Sequence, residues 1–195
     1  MKEVEITVTV NEKLNSAINK ITNLGFEKIR ESYIKDTYLT QFENELNKGI
    51  EEVMNKSVLL RFLNANGEEF KKITYKHKDY KDGKLISETK INLNCEDLDK
   101  AYQLFTALGF KELITVKYVC PVYEKNGFEL AFQEVEGLGL LLEVESILNL
   151  DNATNLEILN EKKNMYQKLL NLGLIIGSDL DVKKAKELIK SKYSI

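Results

Sequence analysis

Glu3 and Glu5 stand two apart at the start of an alternating run, with Thr7 at the next position of the same spacing. On a strand, residues two apart point to one face, so the two carboxylates lie side by side. Such a pair is either half of a site for a hard divalent cation or a costly repulsion. Other side chains able to do chemistry are few. His77 is the single histidine, and Cys95 and Cys120 form no metal-ligand spacing, so a zinc site is not expected. His77 directly follows Lys76, which on a strand turns it to the other face and argues against a general base. Cys120 precedes Pro121 with no histidine assigned beside it, which argues against a nucleophile. Arg61 sits between Leu60 and Phe62, so its side chain faces away from that apolar pair.

The composition sets bounds on function. Hydrophobic residues make up 43% and charged residues 30% of 195, which suits a globular chain with one sizeable core. A formal net charge of −3 gives no broad attraction for nucleic acid or an anionic membrane, and neither is an expected partner. The clusters Lys71-Lys72 and Lys76-His77-Lys78 read as solvated hairpin ends. The acidic, amphipathic N-terminus is unlike a secretory signal, and no stretch approaches the roughly 20 apolar residues that span a bilayer. Two isolated cysteines fit a reducing compartment, so a cytoplasmic protein is expected.

The elements that must position these residues follow from periodicity. Val4, Ile6, Val8 and Val10 alternate with polar residues, which predicts a half-buried strand over 3–10. Leu14, Ala17, Ile18, Ile21 and Leu24 then follow helical spacing, ended by Gly25-Phe26. The pattern returns 84 positions later in Leu98, Ala101, Tyr102, Phe105 and Leu108, ended by Gly109-Phe110, after a strand over 86–93. Two strand–helix–strand halves are therefore expected. Further strands are predicted over 33–40, 58–63, 71–78, 114–123, 128–135 and 140–147. Turns are predicted at Asn66-Gly67, Asp82-Gly83 and Asn126-Gly127, and Gly137 and Gly139 mark a turn between strands. After Leu150 the spacing becomes helical twice, with Asp179 or Asp181 as a cap for the last helix. The predicted fold class is α+β: one domain, with 1–150 forming an antiparallel eight-stranded tunnel-like β-barrel with flanking helices and 151–195 a helical tail. Closure would remove the sheet edges. The tail either closes the tunnel or mediates homodimerisation, and periodicity leaves both open.

This pattern resembles the CYTH superfamily, the triphosphate tunnel metalloenzymes, and its class IV adenylate cyclase-like branch. The resemblance rests on Glu3-Val-Glu5, Asp36-Thr-Tyr38-Leu39, Leu60-Arg61-Phe62, Thr74-Tyr75-Lys76, and Glu134-Val-Glu136-Gly-Leu-Gly139 followed by Glu143-Val-Glu145. The resemblance implies an antiparallel tunnel whose inward carboxylates hold Mg²⁺ or Mn²⁺ and whose inward cations grip a nucleotide or other polyphosphate. It implies Glu3, Glu5, Glu143 and Glu145 as metal ligands, and Arg61, Lys76 and Lys117 as phosphate-binding residues, with Lys72 a weaker candidate. It implies adenylate cyclase or triphosphatase activity.

The departures from the family pattern share one direction. Thr7 replaces a lysine, Leu63 an arginine, Val119 and Cys120 stand where arginine is usual, and Gln133 stands where aspartate is frequent. The acids persist while the bases are lost. A triphosphate would add roughly four negative charges, and two like unit charges ~4 Å apart cost about 4 kcal/mol at an effective dielectric of ~20. Such a site needs metal before it accepts a triphosphate. The alternative expectation is a scaffold without catalysis that binds a different small anion or a protein partner. A third is an unrelated β-rich binding protein.

Overall fold

The alternating segments form strands in a computed structural model of the chain, which describes residues 4–81, 84–148 and 153–195, with 76–81 and 84–90 described by the course of their backbone alone. Eight strands build one antiparallel sheet: β1 (Glu5–Thr9), β2 (Glu27–Thr40), β3 (Val58–Ala65), β4 (Glu68–Lys81), β5 (Lys84–Asn94), β6 (Lys111–Lys125), β7 (Phe128–Val135) and β8 (Gly139–Glu145). The helices are α1 (Leu14–Asn23), α2 (Ile50–Asn55), α3 (Leu98–Ala107), α4 (Asn155–Asn171) and α5 (Lys184–Tyr193). The strand order is β1-β8-β7-β6-β2-β3-β4-β5. The expected α+β class with an eight-stranded antiparallel sheet and flanking helices is therefore present. The difference from a barrel is that the order has two ends, β1 and β5. Glu3, the Asp82-Gly83 turn and Leu150 lie outside the described residues.

By its contacts the chain forms two compact units, Met1–Ser32 with Tyr118–Lys183 and Tyr33–Lys117 with Lys184–Ile195. The long strands β2 and β6 contribute to both. In the first unit, Ile6 and Val8 of β1, Leu142 and Val144 of β8, and Leu130 and Phe132 of β7 form one buried face. Ala17 and Ile21 of α1 and Met165 and Leu169 of α4 pack on it. Burying each of these large side chains stabilises the fold by about 1.5–3 kcal/mol. Helix α4 begins with a capping box, Thr154 Oγ1 accepting the Glu157 N–H and Glu157 accepting the Thr154 N–H.

The second unit has two cores. Leu39, Val58, Leu60 and Ala101 pack with Ile73, Tyr75 and Phe105 beneath α3. Leu46, Val53, Leu113 and Ile189 join α2 to α5. The short helix α2 was not expected, because six residues carry too little periodicity to register.

The two related helices match closely. Each is 10 residues long, from Leu14 to Asn23 and from Leu98 to Ala107. Each ends in the same way: the Phe26 N–H donates to Ile21 O at 3.1 Å, and the Phe110 N–H donates to Phe105 O at 3.0 Å. Gly25 and Gly109 sit at φ +86° and +87°, which a side chain would resist. A small buried residue, Ala17 or Ala101, lets each helix approach its sheet.

The segment after α4 runs along the free edge of β1. Thr7 N–H donates to Leu180 O at 3.0 Å, the Val182 N–H to Thr7 O at 3.0 Å, and the Gly177 N–H to Thr9 O at 2.9 Å. These bonds occupy backbone groups that an end strand would otherwise leave to water or another chain. Asp179 and Asp181 serve this segment and do not cap α5. Asp179 accepts the Asp181 N–H, and Asp181 accepts Lys162 Nζ at 3.2 Å. Glu12 secures the same segment, accepting from the Ile175 N–H at 3.0 Å, Lys20 Nζ at 2.9 Å and Ser16 Oγ at 2.7 Å. Burial pushes the Glu12 carboxyl up, but these donors outweigh it and hold it below the usual carboxylate range. Among the described residues, no helix is long and apolar enough to cross a membrane.

Two outcomes follow for the β1 edge. A Cβ added at Gly177 would lie 2.2 Å from Thr9 Oγ1, so Gly177→Ala should lower urea-denaturation stability by about 1–3 kcal/mol. Thr9→Ala in the same chain should restore most of the loss, because the clashing oxygen is gone. Glu12 has a folded pKa below its unfolded value, so its stabilisation is full above about pH 4.5 and fades as pH falls through the folded value. Glu12→Gln should therefore flatten the acid limb of a stability-versus-pH curve.

Candidate functional site

In the first unit Glu5, Glu143 and Glu145 lie on the strand face turned away from α1 and α4, and in the second Arg61 and Lys72 lie on the face turned away from α3. In the first unit the register pairs Glu5 with Glu145 and Thr7 with Glu143. Directly opposed residues share a face, so Glu5, Thr7, Glu143 and Glu145 lie together, opposite the buried Ile6, Val8, Leu142 and Val144. The next strand adds Ala131, paired with Glu143, and Gln133, paired with Leu141. Carboxylate oxygens are the donors that hard cations such as Mg²⁺ and Mn²⁺ take, so the donor chemistry fits. Among the described residues, however, no group of three or more acids, histidines or cysteines is close enough to hold a metal. Glu3 lies outside the described residues.

Three of the five substituted positions, Thr7, Cys120 and Gln133, are buried, and Leu63 is half-buried. Thr7 is 7% exposed and Gln133 3%, and Cys120 is also buried. Val119 is 38% exposed. Neighbours in a strand point to opposite faces, so Val119 and Cys120 do not serve one face together.

The second unit carries Arg61, Lys76 and Lys117. Leu60 pairs with Ile73 beneath α3, which turns Arg61 and its opposite number Lys72 to the other face. Thr74 lies two residues from Lys72 and donates to Asn92 Oδ1 across β4–β5 at 2.9 Å. Lys76 is placed by register opposite Lys90. Lys117 lies in β6 and is half-buried.

Asp36 was missed as a member of this group, although Asp36-Thr-Tyr38-Leu39 was one of the motifs. Its carboxylate accepts two hydrogen bonds from Arg61, from Nε at 2.7 Å and from Nη2 at 2.6 Å. This is the forked, two-point pairing that makes Arg–carboxylate contacts strong and directional. Asp36 is 3% exposed, while the Arg61 side chain is 41% exposed. Alternation of charge within β2 was the available signal, but the β2–β3 partnership that joins 36 to 61 is not written in either segment. Arg30, whose Nη2 donates to Glu129 at 2.7 Å in the first unit, was likewise not singled out.

A cleft of about 430 Å³ lies on the α3 side of the second unit, lined by Lys35, Thr37, Phe62, Lys71, Asp99 and Tyr102 among others. None of the predicted site residues lines it.

No family model matches the chain. It is 29% identical over 189 residues to a Methanocaldococcus jannaschii protein named "Putative adenylate cyclase MJ0240", covering 95% of this chain and 96% of that one. Among solved structures, the PH1819 protein of Pyrococcus horikoshii OT3 is similar at TM-score 0.68 and 24% identity, covering 98% of this chain and 99% of that one. HpAC1 from Hippeastrum, called a "putative adenylyl cyclase" and said to reveal a dominant triphosphatase activity, is similar at TM-score 0.61 and 13% identity, covering 98% and 96%. These likenesses establish the fold: an eight-stranded antiparallel sheet with flanking helices.

The opposed acids give a direct check. Like charges directly opposite on a sheet destabilise it by about 0.2–1 kcal/mol. Glu145→Gln should raise stability by a similar amount in chelator, and if the pair holds a cation, a rise in melting temperature in Mn²⁺ should be seen in the unmodified chain and be smaller in the variant. An equal Mn²⁺ shift in both would show that the pair holds no metal.

Proposed function

We propose that this chain is a class IV adenylate cyclase-like protein of the CYTH superfamily that binds a nucleoside triphosphate or other polyphosphate together with a divalent cation. The observation that carries this reading is the 29% identity, spread over almost the full length of both chains, to the protein named "Putative adenylate cyclase MJ0240". The faces described above support it: carboxylates from β1 and β8 suit a hard cation, and Arg61 with Lys72 suits phosphoryl oxygens. In this reading Glu3, Glu5, Glu143 and Glu145 hold Mg²⁺ or Mn²⁺, and Arg61, Lys76 and Lys117 bind phosphate. The bound cation would neutralise charge on the phosphoryl oxygens. Arg61 would orient an oxygen through fixed N–H donors, and the lysines would act as point charges.

A second reading, a CYTH scaffold that binds without catalysis, is favoured by Thr7 and Gln133. Both are buried on the acid-bearing face, where neither supplies a cation nor an extra carboxylate.

Incubation of the pure protein with ATP, thiamine triphosphate or inorganic tripolyphosphate, in Mg²⁺ and in Mn²⁺, separates the two. Turnover of any one establishes an enzyme. Tight binding by calorimetry without turnover keeps the polyphosphate reading without catalysis and counts against a scaffold for a different small anion or a protein partner, and absence of both overturns the polyphosphate reading.

A further inference from the structure

The cleft of about 430 Å³ in the second unit is built by strands β2, β3 and β4 and the start of α3. Its volume falls within the range of about 300–1,000 Å³ common to small-molecule sites. Leu60 and Phe62 of β3 make it apolar, and the buried Thr37 beside them has its hydroxyl engaged with Thr115 Oγ1 at 3.1 Å. Tyr102 of α3 adds a second aromatic ring, and Tyr33 backs Phe62 with 6.3 Å between ring centroids. The charged lining residues divide by element. The strands supply two cations, Lys35 on β2 and Lys71 on β4, the latter directly opposite Phe62. The segment that opens α3 supplies three carboxylates, Glu96, Asp97 and Asp99. Two of these five groups are paired along their own element. Lys71 Nζ lies 3.5 Å from Glu69, and Asp97 caps α3 by accepting the Lys100 N–H, with Lys100 Nζ at 3.5 Å. Among the described residues no ion pair crosses the cleft, so cations on one wall and carboxylates on the other stand unbridged.

We propose that this cleft binds a small zwitterion with an apolar body, of the kind that an aromatic amino acid represents. The two walls select the ligand's charge. A plain anion would meet the carboxylates and a plain cation the lysines, whereas a molecule with one charge of each sign suits both walls. Its carboxylate faces Lys35 on the strand side, and its ammonium faces Asp99 and Glu96 on the helix side. Phe62 and Tyr102 receive the ring between them. The apolar body supplies most of the affinity, because Lys35, Glu96 and Asp99 are exposed and exposed ion pairs are weak. The charges supply orientation and selection. The site is separate from the polyphosphate reading, since Arg61 and Lys72 lie on the opposite face of the sheet.

L-Phenylalanine serves as the test ligand. In ¹H–¹⁵N spectra of the full chain it should shift the amides of Lys35, Thr37, Phe62 and Asp99 to Tyr102, with a Kd in the low millimolar range or tighter. Phenylalaninamide lacks the carboxylate and N-acetylphenylalanine lacks the ammonium, and each should bind about two- to fivefold more weakly. Lys35→Gln should shrink the first difference and leave the second, and Asp99→Asn should do the reverse. Both residues are exposed, so these substitutions leave the core intact. Tyr102→Ala should weaken all three ligands alike. No shift at about 20 mM phenylalanine, several times the expected Kd, overturns the proposal, as do shifts confined to another part of the chain. Unchanged preferences in both charge variants overturn it as well. Equal binding by N-acetylphenylalaninamide, which carries neither charge, overturns the zwitterion and marks the cleft as a seat for a peptide segment instead.

Discussion

Every strand of this sheet has two faces, and the helices fix what each face carries. In the first unit α1 and α4 cover Ile6, Val8, Leu142 and Val144. The period of two then leaves Glu5, Thr7, Glu143 and Glu145 on the other side. In the second unit α3 covers Val58, Leu60, Ile73 and Tyr75, and the same rule turns Arg61, Lys72 and Thr74 away. The polar residues are thus placed by the burial of their neighbours. A slip of one residue in either register would bury the charges and expose the core, which is why the register is strongly specified.

An open strand order leaves edges, and the chain manages one of them with its own backbone. Residues 175–182 pair along β1, tied down by Glu12 and admitted by a glycine at the closest approach. Part of the tail after α4 therefore has a structural role, covering an edge that would otherwise be a template for another strand. The same segment places Asp181 beside Thr7, so the position where the family pattern has lysine is paired on both sides, by Glu143 and by Asp181.

Charge on the candidate faces is managed by pairing as well as by composition. Counting Arg61 as an unqualified cation overstates the positive charge of its face, because Asp36 sits buried beneath it. Breaking such a pair strands a buried carboxylate, so removal of the arginine alone is expected to harm the fold as well as any site. A face whose arginine is neutralised and where Leu63 stands in place of a second arginine suits ligands that bring their own cation. That is consistent with the pairing of polyphosphate and divalent metal proposed above.

The sequence by itself determined the elements with strong local periodicity. The eight strands, the α1 and α3 pair with their Gly-Phe ends, and the two Asn-Gly hairpins all followed from spacing, because side-chain alternation and glycine conformation are local properties. It also placed Arg61 on the face away from Leu60 and Phe62. Strand ends were less legible: β2 begins at Glu27, six residues before the segment rich in aromatic and β-branched residues, because Glu27–Ser32 is mostly charged and exposed. What only the tertiary structure decided were partnerships between distant segments. Asp36 clamps Arg61, Thr7 pairs with Asp181, and Glu12 holds Ile175. No local spacing encodes these, since each depends on which strands and loops come together once the apolar faces have been buried.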